Sequence, residues 1–266
     1  MPNLQRNRIE FKVWGRYAMF TDPLTKIGGE KCSYQVPTYE ALKGVAKSIY
    51  WKPTFIWVID EVRVMKRIRT QTKGTKPLNF GGVYPSERNP KKKEEPFNTL
   101  AIYTFLTGDP DPVTGEPGVE YQVRAHFEWN EHRPELANDR VEGKHFEIAR
   151  RMLERGGRQD VFLGTRDCQG YVEPCELGSG SGHYDNSGRL AFGLMLHGFD
   201  YPDETGEDKL YARFWTPKMI EGVIHFVRPE ECPVKKFVHE MKPKQFESGQ
   251  GLKNVETEIA ELEAQA

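Results

Sequence analysis

Three features of this 266-residue chain predict an α+β fold. Apolar residues alternate with polar ones at 8–14 and again at 120–129, the period-two pattern of half-buried strands. Two stretches, 38–50 and 142–155, carry apolar residues at helical spacing between a start signal and a stop signal. Beyond about residue 177 the chain turns to short apolar segments separated by turn formers, which predicts a small antiparallel β-rich unit.

Taken in order, Arg8-Ile9-Glu10-Phe11-Lys12-Val13-Trp14 reads as the first strand. Residues 21–36 are rich in turn formers, including Asp22-Pro23 and Gly28-Gly29, and read as a long loop. Thr38 is the N-cap of a helix whose inward residues are Tyr39, Leu42, Ala46 and Ile49. That helix ends near Tyr50, because Pro53 bars its continuation. Residues 54–65 are β-branched and aromatic and form a buried strand. Residues 69–118 read as an inserted hairpin with one clear strand at 99–106, interrupted by Gly81-Gly82, Pro90, Lys91-Lys92-Lys93 and Asp109-Pro110. A strand at 120–129 follows, then a helix with Phe146, Ala149 and Leu153 inward and Gly156-Gly157 as its stop. A short strand at 160–163 closes the unit. Without the insertion the order is β-α-β-β-α-β, a ferredoxin-like (RRM-like) arrangement over residues 1–177. Residues 183–240 form the β-rich unit. Residues 241–266 form an acidic tail in which Leu252, Val255, Ile259 and Leu262 recur at helical spacing, as a frayed end or a docking helix.

Thirty-eight Lys and Arg against 39 Asp and Glu leave a net charge of −1, a total that hints at no polyanionic partner. The distribution says otherwise. Residues 1–76 hold 15 basic and 6 acidic side chains, and the remainder carries the opposite excess. Arg63, Lys66, Arg67, Arg69, Lys73 and Lys76 occur with no acid between them. Such asymmetry fits a surface that faces a polyanion, or a strand face balanced by acids brought close in the fold. Mean hydropathy of −0.68 and the lack of any apolar run near the ~18–20 residues of a membrane span predict a soluble protein. The opening Met1-Pro2-Asn3-Leu4-Gln5-Arg6 has no apolar signal stretch, so a cytoplasmic location is expected. Cys32, Cys168, Cys175 and Cys232 include no C-x-x-C pair and are expected to be reduced and structural.

No phosphate-binding loop, dinucleotide fingerprint, nucleophile elbow or zincin motif is present, and no two histidines stand i,i+4 on a predicted helix. Neither a cofactor nor a metal is expected. Lys144-His145 opens the second helix, where backbone N–H groups and the helix dipole favour phosphate. There His145 can move a proton and Lys144 can offset charge on a phosphorane, or both are exposed polar residues of a solvated first turn. Tyr50 ends the first helix beside Trp51, so one of the two must leave the core face. Its phenol either orients a ribose hydroxyl or packs the helix end. Phe11, Val13, Tyr121, Val123 and Phe127 are core residues or a base-stacking face. Asp22, Asp60 and Glu61 are the carboxylates that would have to gather for a metal-dependent nuclease.

Phe20-Thr21-Asp22-Pro23-Leu24-Thr25-Lys26-Ile27-Gly28-Gly29-Glu30-Lys31, followed by Tyr34 to Pro53 with Ser48-Ile49-Tyr50-Trp51-Lys52-Pro53, closely resembles one family. The likeness continues through His132-Arg133-Pro134, Glu142-Gly143-Lys144-His145, Phe162-Leu163-Gly164, Cys168-Gln169-Gly170-Tyr171-Val172 and His197-Gly198-Phe199, to about Val234. The family is the type I-C CRISPR repeat-processing endoribonuclease, the "d" subtype of the fifth Cas protein family in the RAMP superfamily. The resemblance implies a ferredoxin-like unit and a β-rich one, with binding of the precursor CRISPR RNA repeat hairpin. It implies metal-independent cleavage at the 3′ base of that hairpin, and retention of the mature guide RNA with other subunits of an antiviral surveillance complex. It implies catalytic roles for Tyr50, Lys144 and His145. The segment 84–97 departs from the family by its length. Backbone contacts to the hairpin are expected from Arg63, Lys66, Arg67, Arg69, Lys73 and Lys76, with Arg151 and Arg155 as further candidates. Two other readings stand beside this one: a non-catalytic guide-RNA-binding subunit, and a metal-dependent nuclease acting on DNA.

Overall fold

Strand β1 (Arg8–Gly15) buries Ile9, Phe11, Val13 and Gly15 and turns Lys12 and Trp14 to the other face, as its alternation predicts. This computed structural model describes residues 7–25, 30–76, 100–110 and 115–244. After a loop holding the two-residue strand β2 (Lys31–Cys32), helix α1 (Tyr39–Ile49) starts at Thr38, whose hydroxyl accepts the Ala41 N–H at 3.2 Å. Leu42, Ala46 and Ile49 of α1 are fully buried. Strand β3 (Phe55–Val64) is buried along most of its length.

The inserted segment contains two strands where one was expected. β4 (Arg69–Thr75) and β5 (Ala101–Thr107) pair antiparallel from Arg69↔Thr107 to Thr75↔Ala101, and β2 lies parallel to β5. The sequence of β4, Arg-Thr-Gln-Thr-Lys-Gly-Thr, has no apolar residue and so carries no burial signal; pairing with β5 alone makes it a strand. The segment 84–97 with its lysine run, and the tail from 245 onward, lie outside the described residues.

Strand β6 (Val119–Trp129) pairs antiparallel with both β1 and β3. Helix α2 (Glu142–Glu154) follows a 3₁₀ turn at Pro134–Asp139 and ends where Gly156 and Gly157 take φ of +82° and +103°. Its buried residues are His145, Ala149 and Leu153, an unbroken i, i+4, i+8 row. Phe146, expected inward, is only partly buried because the row that meets the sheet begins one residue earlier.

The strand expected at 160–163 is the short β7 (Val161–Phe162). The place beside β1 is taken instead by β8 (Gln169–Pro174), with Val13 opposite Val172 and Trp14 opposite Tyr171. Gly170 and Pro174 weaken its strand signal, and only two of its residues are buried. Residues 183–240 feed two sheets. β9 (Arg189–Ala191), β12 (Lys218–Ile220) and β13 (Val223–His225) extend the main sheet, which runs β7-β8-β1-β6-β3-β13-β12-β9 with every neighbour antiparallel. β10 (Met195–Asp200), β11 (Lys209–Trp215) and β14 (Val234–Glu240) form a separate three-stranded sheet, with the short helix α3 (Pro202–Thr205) between β10 and β11.

Helix α1 packs on β3 and β10, and α2 on β1 and β8. Phe11, Val13, Tyr121, Val123 and Phe127 lie in the resulting core, which resolves their two readings in favour of packing. All four cysteines are unpaired, and burial pushes the thiols of Cys168, Cys175 and Cys232 up to about 11, leaving them poor nucleophiles. No helix among the described residues is long and apolar enough to cross a membrane.

Trp57 joins this core to the end of α1: it is fully buried, and its indole N–H donates to the Tyr50 carbonyl at 2.7 Å. Trp57→Ala is expected to cost about 3–5 kcal/mol in urea unfolding. A loss under about 1 kcal/mol contradicts this anchoring role.

Candidate active site

The chain leaves α1 at Tyr50 in an extended conformation (φ −159°, ψ 134°), and Pro53 then prevents further helix. The bend separates two adjacent aromatics. Tyr50 turns inward to 2% exposure and packs on Phe55, while Trp51 turns outward. From the first turn of α2, His145 enters the same pocket, among the rings of Phe55, Phe127 and Trp129, and is fully buried.

The two side chains meet. The Tyr50 hydroxyl lies 2.9 Å from His145 Nδ1, and the opposite ring nitrogen, Nε2, lies 2.7 Å from the Asp139 carbonyl oxygen. A carbonyl can only accept, so Nε2 carries the proton. In the neutral ring Nδ1 then accepts from the Tyr50 hydroxyl. Burial raises the Tyr50 pKa, with a contribution from the Asp139 charge that outlasts the opposing effect of Arg158, so the phenol stays protonated.

Asp139 is the junction that sequence inspection missed. Its carboxylate takes the Lys144 ammonium on Oδ1 and the Thr54 hydroxyl at 2.7 Å on Oδ2, and Oδ2 stands 3.4 Å from His145 Nε2. The Lys144 hydrogen bond, helped by that of Thr54 and by the nearby His145, outweighs the cost of burial and holds its pKa below the ordinary carboxylate value. Lys144 is half exposed, the outermost of the three predicted catalytic side chains. The one signal for Asp139 was position: a carboxylate just before a helix start, where the dipole favours negative charge.

The predicted RNA-contacting residues divide into three groups. Arg63 is withdrawn from that set. It is 6% exposed, grips the Asp185 carboxylate through Nε and Nη2 at 2.7–3.1 Å, and gives its remaining donors to Gln122 and to the carbonyls of Ser179 and Gly180. A guanidinium so enclosed has no edge for a phosphate. Lys66 and Arg67 precede β4, Arg69 and Lys73 lie on it and Lys76 follows it, Arg69 pairing with Asp109 at 2.8 Å and Lys73 sitting 3.4 Å above the Tyr17 ring. They stand at the Tyr121 end of β6, whereas Tyr50 and His145 stand at its Trp129 end. Arg151 on α2 and Arg155, which caps its C-terminal end, are exposed, with Arg151 Nε donating to the Glu147 carbonyl.

The carboxylates considered for a metal do not gather. Asp60 pairs with His126 at 2.8 Å, Glu61 pairs with Arg124, and among the described residues no three His, Cys, Asp or Glu side chains form a metal-holding group.

The family model described as CRISPR-associated protein (Cas_Cas5), of the Cas5d type, matches residues 8–227. The chain belongs to the Cas5d family. Two Cas5d relatives carry the name CRISPR pre-crRNA endoribonuclease. The one from Mannheimia succiniciproducens is 29% identical over 227 residues, covering 82% of this chain and 94% of that protein. The one from Thermus thermophilus is 28% identical over 208 residues, covering 76% and 78%. Among solved structures, a CRISPR-associated protein matches with a TM-score of 0.65 at 30% identity, over 86% of this chain and 96% of its own. A functionally uncharacterized protein from Streptococcus mutans matches at 0.63 and 32% over the same shares. A Cas5d chain therefore presents, in this case, a buried tyrosine–histidine pair beneath a half-exposed lysine and a partly buried aspartate.

Two outcomes follow from these partners. Arg63→Ala should lower stability by about 3–5 kcal/mol in denaturant titration, because it strands Asp185 and Gln122. The slope of RNA affinity against salt should stay unchanged, and a shallower slope would return Arg63 to the RNA surface. Asp139 has a folded-state pKa below its ordinary value of 3.8, so its ion pair stabilises the fold above that pH and the contribution is lost as pH falls through the folded value. Asp139→Asn should flatten the acid limb of the stability–pH curve below about pH 4 while leaving the region above pH 6 parallel to wild type.

Proposed function

We propose that this chain is a metal-independent endoribonuclease that cleaves precursor CRISPR RNA at the 3′ base of the repeat hairpin. The hydrogen bond between the Tyr50 hydroxyl and His145 Nδ1 carries this reading. It supplies, without a metal, the proton-transfer chain that 2′-hydroxyl attack requires. The names of the Mannheimia and Thermus relatives support RNA cleavage as the activity. The strand order β8-β1-β6-β3, all antiparallel, with α1 and α2 as the crossovers, supports reading this part of the chain as ferredoxin-like.

In the proposed mechanism the ribose 2′-hydroxyl attacks its own phosphodiester. Its proton passes to the Tyr50 oxygen as the phenolic proton passes to His145 Nδ1. The raised Tyr50 pKa suits a relay that stays protonated at rest and excludes a standing phenolate as base. The imidazolium that forms is stabilised by the ionised Asp139 carboxylate beside Nε2. Return of the proton to the departing 5′ oxygen leaves a 2′,3′-cyclic phosphate and a 5′-hydroxyl. Lys144, released from Asp139 to the scissile phosphate, offsets the charge of the phosphorane. The processed guide remains bound as the chain joins the other subunits of a surveillance complex.

The test is a single-turnover assay on the cognate repeat in EDTA. Cleavage should proceed, give cyclic-phosphate ends, and fall about 10²–10⁴-fold in His145→Ala. A single 2′-deoxy substitution at the scissile position should abolish it with binding retained. A requirement for Mg²⁺, or normal cleavage of the deoxy substrate, would reject the mechanism.

A further inference from the structure

The face of the main sheet turned away from α1 and α2 carries a second feature. Lys12 and Trp14 of β1 and Tyr171 of β8 point to this side, and the Trp14 and Tyr171 rings stand 5.9 Å apart at 36°. Tyr171 is 53% exposed and Trp14 half-buried, although each has a large aromatic area that is ordinarily covered. Together with Arg16, Tyr17 and Lys66 they line a cleft of about 840 Å³, inside the ~300–1,000 Å³ range of small-ligand sites.

Cations already lie over these rings. The Lys12 ammonium is 4.8 Å from the Trp14 ring, and Arg16 and Lys73 lie 5.6 and 3.4 Å from that of Tyr17. Lys73 belongs to β4, so the basic hairpin strand forms one border of the cleft. The lining also contains Glu116, Glu120 and Asp167, which makes the cleft itself a poor seat for phosphate. Aromatic faces within the cleft and cations at its border suit a base inside and backbone phosphate along Arg67, Arg69 and Lys73. Strand β6 separates this cleft from the catalytic pair by its eleven residues, roughly 35 Å at about 3.3 Å each.

We propose that the Trp14–Tyr171 cleft is a stacking site for unpaired nucleotides of the RNA, remote from the cleavage centre. The proposal rests on the RNA-processing reading for the identity of its ligand, and the experiment separates the two. Binding is measured for two RNAs, the bare repeat hairpin and the same hairpin with a single-stranded extension. The wild-type chain should bind the extended RNA about tenfold or more tightly, and Trp14→Ala/Tyr171→Ala should reduce it to the affinity of the bare hairpin. Affinity for the bare hairpin and the salt slope should not change, since no phosphate contact is removed. Trp14→Phe/Tyr171→Phe should retain most of the preference. If the double alanine variant does not fold, Tyr171→Ala alone, at an exposed position, should still halve the preference or more. His145→Ala should keep the full preference, so failure of the cleavage mechanism leaves this result standing. Equal affinity of the wild type for the two RNAs, an undiminished preference in the alanine variants, or equal weakening for both RNAs would overturn the proposal.

Discussion

A hydrogen bond of 2.9 Å between Tyr50 and His145 joins the residue that caps the end of one helix to the first turn of the other. Its geometry constrains much of what surrounds it. Tyr50 reaches inward only because α1 ends in an extended residue whose carbonyl is held by Trp57. His145 reaches inward only because the buried row of α2 starts in its first turn, at His145, and continues through Ala149 and Leu153. Amid the aromatic packing of Phe55, Phe127 and Trp129 the imidazole makes two hydrogen bonds, to the phenol and to the Asp139 carbonyl, and these fix its tautomer.

Around this dry centre the charges are arranged in layers. Asp139 stands between the buried imidazole and the exposed Lys144, kept ionised by Lys144 and Thr54, and so couples surface charge to the interior proton path. Elsewhere the basic excess of the first 76 residues is partly consumed internally. Lys43, 2% exposed, binds Glu204, and Arg63 binds Asp185, in each case an acid from the later, acidic part of the chain. Fold neutralisation, one of the two readings of the charge asymmetry, holds for Arg63 and Lys43, whereas Arg67 and Arg69, before and at the start of β4, stay exposed.

The elements legible in the sequence were those with a buried face. β1, α1, β6 and α2 repeat apolar residues at the period of their own geometry, and β3 is a near-continuous run of β-branched and aromatic residues. β4 and β8 were hidden because backbone pairing, rather than side-chain burial, makes them strands. The same limit applied to the site. Tyr50 and Lys144-His145 stood out by position and family likeness, but a polar helix start gives no sign that its histidine is the innermost residue. Arg63 looked like its basic neighbours, since a charge on a strand reads alike whether it meets solvent or a distant aspartate. Asp139 and Thr54 come from segments without periodicity, and only the folded chain shows that Thr54 and Lys144 converge on Asp139.

The central claim is that the Tyr50 phenol relays the proton between the 2′-hydroxyl and His145. The most direct measurement is the single-turnover cleavage rate of Tyr50→Phe in EDTA, with RNA affinity measured in parallel. The variant keeps the ring packing on Phe55 and removes only the hydroxyl. A rate loss of about 10²–10⁴-fold at unchanged affinity is the predicted result. Cleavage at the wild-type rate would contradict the relay and return Tyr50 to the role of a packing residue at the end of α1.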